Sequence, residues 1–351
     1  MIKKLRIEDI IIEGPRSKKG VNKVKMMENG INPCFTSGNN IYLINDFLVD
    51  GKYIFMNDGG SADVKFNEGK SYYTDHVYSF TTIDNINPKY LYYYLKNNEH
   101  LIEQVYFQGV GLKNLNKSNF KKFEVNMPGL NVQNEIVEVL DKFTELEAEL
   151  EAELEARTKQ YEYYRNLLLT FDDDVPMKPL SEVCVLSAGG DVPKRHFSKE
   201  KTNEYKVPIY SNGIGDNALY GWTNEARINN PCITIAARGT IGYVALRNEP
   251  FVPVVRLICA IPKECINVRY LKYATETLNF KVPTSGIPQL TVPMIGKYNI
   301  PVPPLEEQKR IVSILDKFSS LVNDIKEGLP AEIELRRKQY EYYRNKLLTF
   351  E

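Results

Sequence analysis

The chain has 351 residues, 43% of them apolar, and its 45 Lys and Arg balance 45 Asp and Glu. That length provides for two or three domains, and the apolar fraction excludes an intrinsically disordered chain. Five scattered cysteines without a CxxC pair and three scattered histidines argue against a disulfide framework and a zinc site.

The opening MIKKLRIEDIII has too short an apolar run for a signal peptide, and no 18-residue apolar stretch follows anywhere, so a cytoplasmic protein with no membrane span is predicted. Residues 1–130 read as a first mixed α/β block. GKYIFMNDG (51–59) is a β-branched and aromatic run bounded by turn formers, and NPKYLYYYLKNNEHLIEQVYF (87–107) has helical spacing. Two polar loops stand out in it: TSGNN offers Ser37, Asn39 and Asn40, and GLKNLNKSN offers Lys113, Asn114, Asn116 and Lys117. FQGVG (107–111) fits a cofactor-loop pattern for S-adenosylmethionine, and Asp58, Glu68 and Lys70 mimic a nuclease metal site. Both are weak matches, since a helical run precedes the first and the second half of the chain shows no counterpart of the second.

Residues 131–171 contain no Pro or Gly and predict one long helix of roughly 60 Å. Its apolar positions Ile136, Leu140, Phe143, Leu146, Leu150, Leu154, Tyr161, Tyr164 and Leu168 form a narrow strip suited to a helix–helix seam. Inside it, ELEAELEAELEA (145–156) repeats one tetrad three times. Residues 132–174 are acidic, with 4 Lys and Arg against 13 Asp and Glu.

Residues 175–306 read as a second mixed block with PCITIAARGTIGYVAL (231–246) as strands and NVRYLKYATETLNF (267–280) as a helix. Its loops offer Lys194 and Arg195 in VPKRHF, Ser211 and Asn212 in YSNG, Arg238 and Thr240 in ARGTIG, and Ser285 and Gln289 in SGIPQLT. Arg and Lys suit guanine edges and phosphates, Asn and Gln suit adenine, and Ser and Thr suit either. The same residue types also build ordinary turns. The two blocks are only mildly basic: residues 1–131 hold 17 basic against 14 acidic residues and residues 175–306 hold 15 against 10, a weak footprint for a domain that binds DNA unaided.

Residues 307–351 predict a second long helix with Leu315, Phe318, Tyr340, Tyr343 and Leu347 on its strip and a kink at 328–330, where GLPAEI brings Gly and Pro together.

The two long segments are copies. KQYEYYRNLLLTF (159–171) and KQYEYYRNKLLTF (338–350) match at twelve of thirteen positions, 179 residues apart. QNEIVEVLDKF (133–143) aligns with QKRIVSILDKF (308–318), VNMPGL (125–130) with IPVPPL (300–305), GLKNLN (111–116) with GIPQLT (286–291), PCFTSGN (33–39) roughly with PIYSNGI (208–214), and YLYY (90–93) with YLKY (270–273). Two copies at a long period are a duplicated domain pair. The predicted fold is therefore α+β, with two α/β-mixed blocks separated by two long antiparallel helices that pair about an internal pseudo-two-fold axis.

On these helix motifs the whole chain resembles the specificity subunit of a type I restriction–modification system. The resemblance implies two target-recognition domains, each reading one half of a bipartite site in double-stranded DNA. It implies spacer helices that dock two methyltransferase subunits and, through them, motor-nuclease subunits. It implies no cofactor on this chain, with S-adenosylmethionine, ATP and Mg on the partners. The alternative is a self-contained DNA methyltransferase or nuclease, which would need FQGVG or the Asp58 trio to be a working site.

Overall fold

A computed structural model describes residues 2–282, 287–323 and 328–350. It divides into two compact units. The first comprises Met1–Glu151 with Glu332–Glu351, and the second Ala152–Ala331. The division falls inside the long helix, not at its ends as the sequence reading has it, because each half of that helix packs with a different block.

In the first unit a four-stranded antiparallel sheet runs in the order Ile11–Glu13, Val77–Thr82, Lys52–Asn57, Val64–Glu68. Beside it lies a three-stranded sheet, Ile41–Ile44, Glu28–Phe35 and Tyr72–Tyr73, whose last pair is parallel. In the inner strand Lys52–Asn57, residues Ile54, Phe55, Met56 and Asn57 are all buried, since packing covers both of its faces. Helix α1 (Pro88–Asn97) starts on an Asn87 cap that accepts from the Lys89 and Tyr90 amides, and it buries Tyr90, Leu91, Tyr93, Tyr94 and Leu95. Helix α2 (Leu130–Leu168) contributes Ile136, Val137 and Leu140 to the same core.

The second unit repeats this order strand for strand. Its four-stranded sheet is Cys184–Ala188, Leu257–Pro262, Cys232–Ala236, Val244–Arg247, and its three-stranded sheet is Leu219–Thr223, Val207–Tyr210, Val252–Pro253. Helix α3 (Val268–Glu276), capped by Asn267, takes the place of α1. Helix α4 (Leu305–Asn323) supplies Ile311, Val312 and Leu315 where α2 supplies its three. The last helix, α5, runs Leu329–Thr349.

The repeated stretch is exchanged between the copies. Residues 159–171 follow the first block yet pack in the second unit, where Tyr161, Leu168 and Leu169 join its core and Tyr164 stacks on Phe318 at 5.3 Å and 27°. Residues 338–350 follow the second block yet pack in the first, where Tyr340, Leu347 and Leu348 join the core and Tyr343 stacks on Phe143 at 5.5 Å and 25°. The two stacks are equivalent by the repeat, so each copy meets the same surface, which explains why the stretch is nearly invariant. In the first unit the pairing is antiparallel: Phe143 meets Tyr340 and Tyr343, and Glu147 and Glu151 meet Arg337.

The leucine strip is narrower in fact than in sequence. Leu146 is 45% exposed, Leu150 is half-buried, and Leu154 is partly buried against the second unit's core. Four residues turn about 400°, so the tetrad leucines drift around the helix, and Arg337 pairs with Glu147 and Glu151 beside them. Leu140 and Leu315 are fully buried, but in the docking of each helix against its own block.

Candidate nucleic-acid interface

In each unit the end of an inner strand, the start of its neighbour and a returning loop are tied by the same two backbone hydrogen bonds. In the first unit Asp58 N donates to His76 O at 3.1 Å and Leu115 N donates to Asp58 O at 3.0 Å. In the second Ala237 N donates to Arg256 O at 2.8 Å and Leu290 N donates to Ala237 O at 2.8 Å. The sheet registers agree, with Ile54 opposite Phe80 in one unit and Ile233 opposite Ala260 in the other. Backbone bonds such as these hold a scaffold whatever side chains stand on it.

A fourth loop joins each junction. Asn57 Nδ2 donates to Ser37 O at 3.0 Å, and Lys65 Nζ donates to the neighbouring Thr36 O at 3.2 Å. Across the repeat, Asn212 Nδ2 donates to Arg238 O at 2.6 Å, while the Thr240 hydroxyl donates to Asn212 O. Gly239 sits at φ +78 with the Asn212 amide 2.7 Å from where a Cβ would stand, so this close approach requires glycine.

The structure thus gathers Ser37, Asn39, Asn40, Lys113, Asn114, Asn116 and Lys117 around one junction and Ser211, Asn212, Arg238, Thr240 and Gln289 around the other. Several of these side chains are occupied in building the loops. Asn116 caps a short helix by accepting from Asn119 N at 3.1 Å, and Lys117 pairs with Asp58 at 2.9 Å. Ser211 Oγ donates to Asn212 Oδ1 at 3.0 Å. Asn39, Asn40, Lys113, Asn114 and Gln289 are exposed and Arg238 is half-buried. Lys194 and Arg195 are exposed on a separate turn, outside the junction's hydrogen bonds. Ser285 lies outside the described residues.

Sequence reasoning missed the residues at the strand starts, His76 and Arg256, because neither sits in a glycine-punctuated motif. Both are exposed. Arg256 has φ +84, a left-handed conformation costing about 1–3 kcal/mol for a residue other than glycine and concentrated at functional sites. Arg256, Arg238, Gln289 and Thr291 line one groove together with Gly189 and Val255. Only the strand register, aligned across the repeat, could have pointed to these two positions.

The residues of the two enzyme readings have structural partners among the described residues. Phe107–Gln108 pairs with Asn114–Leu115 as a hairpin. Gly109 in its turn has φ +140, and a Cβ there would stand 2.4 Å from Leu112 O, so the FQGVG glycines serve the turn. Asp58 pairs with Lys117 and His76, Glu68 with Lys52, and Lys70 lies over Phe47. Burial pushes the Cys34 and Cys184 thiols up to about 12, which leaves both as packing groups.

Comparison with known proteins gives consistent matches. The model of the type I restriction modification DNA specificity domain matches residues 2–156 and 172–335. A putative type I specificity subunit of Mycoplasma pneumoniae is 35% identical over 326 residues, 88% of this chain and 96% of the relative. A putative type I restriction enzyme specificity subunit of Haemophilus influenzae is 31% identical over 362 residues, 93% and 90% of the two. The crystal structure of a type I restriction–modification S subunit from M. genitalium shares the fold, with a TM-score of 0.69 over 99% of this chain and 96% of that one at 18% identity.

Proposed function

The chain belongs to the type I restriction–modification DNA specificity family, and from that premise we propose that each unit reads one half of a bipartite site in duplex DNA through its four-loop junction. The carrying observation is that two junctions share one set of backbone bonds while their side chains diverge. Asp58, His76 and Asn114 stand in the first where Ala237, Arg256 and Gln289 stand in the second. Shared scaffold with altered side chains is what two different half-sites require. Arg238, Arg256 and Gln289 carry base-reading chemistry in the second unit, and Asn39, Asn40, Lys113 and Asn114 in the first.

On this reading the long helices set the distance between half-sites and dock two methyltransferase subunits, with motor-nuclease subunits joining through them. The chain does no chemistry itself, and S-adenosylmethionine, ATP and Mg belong to the partners. What supports a non-catalytic role is the match to a DNA specificity domain, and at the first junction the Asp58 carboxylate is held by Lys117 at 2.9 Å. The place of action is the cytoplasm. No helix among the described residues is long and apolar enough to cross a membrane.

The test is co-expression with the methyltransferase subunit followed by genome-wide mapping of modified bases. A bipartite motif is expected. Arg256→Ala should alter one half-site only, and loss or change of both half-sites would refute the assignment.

A further inference from the structure

The helices α2 and α4 each carry a buried glutamine and, eight residues on, an aspartate: Gln133 and Asp141, Gln308 and Asp316. Eight residues rise about 12 Å and return to within roughly 80° of the same face. Gln133 is 1% exposed and Gln308 is fully buried. Gln133 Oε1 accepts from Asn87 N at 2.8 Å while its Nε2 donates to Pro128 O at 2.8 Å. Gln308 Oε1 accepts from Asn267 N at 2.8 Å while its Nε2 donates to Pro303 O at 2.8 Å and to Cys265 O at 3.0 Å. Each glutamine thus holds the capping residue of its block's short helix.

The aspartate holds the same short helix further along. Asp141 accepts from the Tyr93 hydroxyl at 2.6 Å and from Lys89 Nζ at 2.8 Å. Asp316 accepts from the Tyr273 hydroxyl at 2.7 Å and from Arg269. Between the two anchors the contact is apolar, through Ile136, Val137 and Leu140 or Ile311, Val312 and Leu315. Apolar burial is non-directional and would hold a block against its helix at a range of angles. Hydrogen bonds fall off steeply with misalignment, and two of them about 12 Å apart define a direction. Buried, satisfied polar groups are best attested in this registry role.

We propose that Gln133 with Asp141, and Gln308 with Asp316, are two-point alignment devices that fix the angle of each recognition block on its long helix and so fix the number of base pairs between the half-sites. They are positioning residues, outside the junction loops that are proposed to read the half-sites. The inference rests on the reading of the units as half-site readers and adds to it the residues that keep the spacing single-valued.

The experiment maps modified bases in cells carrying the full chain with its methyltransferase partner. The variants are Tyr93→Phe, Asp141→Asn, Tyr273→Phe and Asp316→Asn. Wild type is expected to mark sites of one spacer length. Removing a hydrogen bond to a charged group should raise marking at sites one base pair longer or shorter by about tenfold, with both half-sites unchanged. Uniform loss of marking at unaltered spacing would overturn the inference and reduce the four residues to stabilisers. Should an aspartate variant fail to accumulate, the phenylalanine variants carry the test, since each removes one oxygen and keeps the ring in its core. If wild type itself marks no bipartite site, the half-site reading falls and takes the inference with it. If wild type is bipartite and every variant keeps its spacing, the inference alone falls.

Discussion

Arg256 combines exposure, a left-handed backbone and a groove shared with Arg238 and Gln289. A good base contact by such a guanidinium is worth about 1–3 kcal/mol of discrimination. Arg256→Ala in the assembled complex should therefore lower affinity for its own half-site by that amount and relax base preference there, in a competition assay with oligonucleotides varied one position at a time. An equal loss for every sequence would mean a phosphate contact instead. The buried tyrosines give a second expectation. Burial, and then the hydrogen bond to Asp141 or Asp316, pushes the Tyr93 and Tyr273 hydroxyls well above their usual value, and burial pushes Tyr161 up to about 12. A raised value means the fold favours the protonated phenol. That stability is complete below the unfolded value near 10 and is lost as pH rises through the folded values. The last portion of the tyrosinate absorbance, appearing well above about pH 10, should rise together with the loss of circular dichroism; complete ionisation of all 23 tyrosines while the fold persists would contradict it. At this scale the sequence was only half legible. Serine, asparagine and glycine marked the right loops, yet Asn116, Asn212 and Thr240 spend their polar groups on building those loops. His76 and Arg256 were invisible because strand pairing, not local composition, brings them to the junction.

Helix periodicity made α2 legible almost residue for residue, while the seam along it was read too broadly. Its packing weight lies in the aromatic stacks, and a partly exposed phenylalanine in such a stack is worth about 2 kcal/mol. Phe143→Ala should lose that much in denaturant unfolding, whereas Leu146→Ala, on a 45% exposed side chain, should change stability by about 0.5 kcal/mol or less. The reverse ranking would put the seam on the tetrad leucines after all. The tandem tetrads themselves carry a distinct expectation. Deleting residues 149–152 leaves Glu147 in place and returns Glu and Leu to positions 151 and 150, so Arg337 keeps its two carboxylate partners. The helix beyond is shortened by about 6 Å and rotated by roughly 40°. Rotation matters most for a loop that must meet a groove, and 40° is close to one base pair of a duplex with about 10–10.5 per turn. The spacer should shorten by one base pair with both half-sites unchanged. An unaltered spacer with full marking would leave the tetrads as solvated helix.

The duplication explains the molecule's organisation. Each unit borrows the repeated stretch that follows the other block, so neither half of the chain is a self-contained unit. The sequence disclosed the copies, and with them the family, because helix packing conserves residue identity at fixed offsets. It could not disclose the exchange, because copies that match at twelve of thirteen positions give no sign of which surface each one meets. The weak basic character of the blocks, beside an acidic helix segment, predicts that the isolated chain binds duplex DNA weakly and without sequence preference at physiological salt. Specific binding should appear on adding the methyltransferase subunit, as read by electrophoretic shift. The central claim is that two diverged junctions on one scaffold read two separate half-sites. Its most direct test is to exchange residues 1–130 for the corresponding block of a relative, co-express the hybrid with its methyltransferase, and map modified bases across the genome. The account predicts a motif in which one half-site changes while the other half-site and the spacer stay as in wild type. A hybrid that alters both half-sites together, or leaves both unchanged, would contradict it.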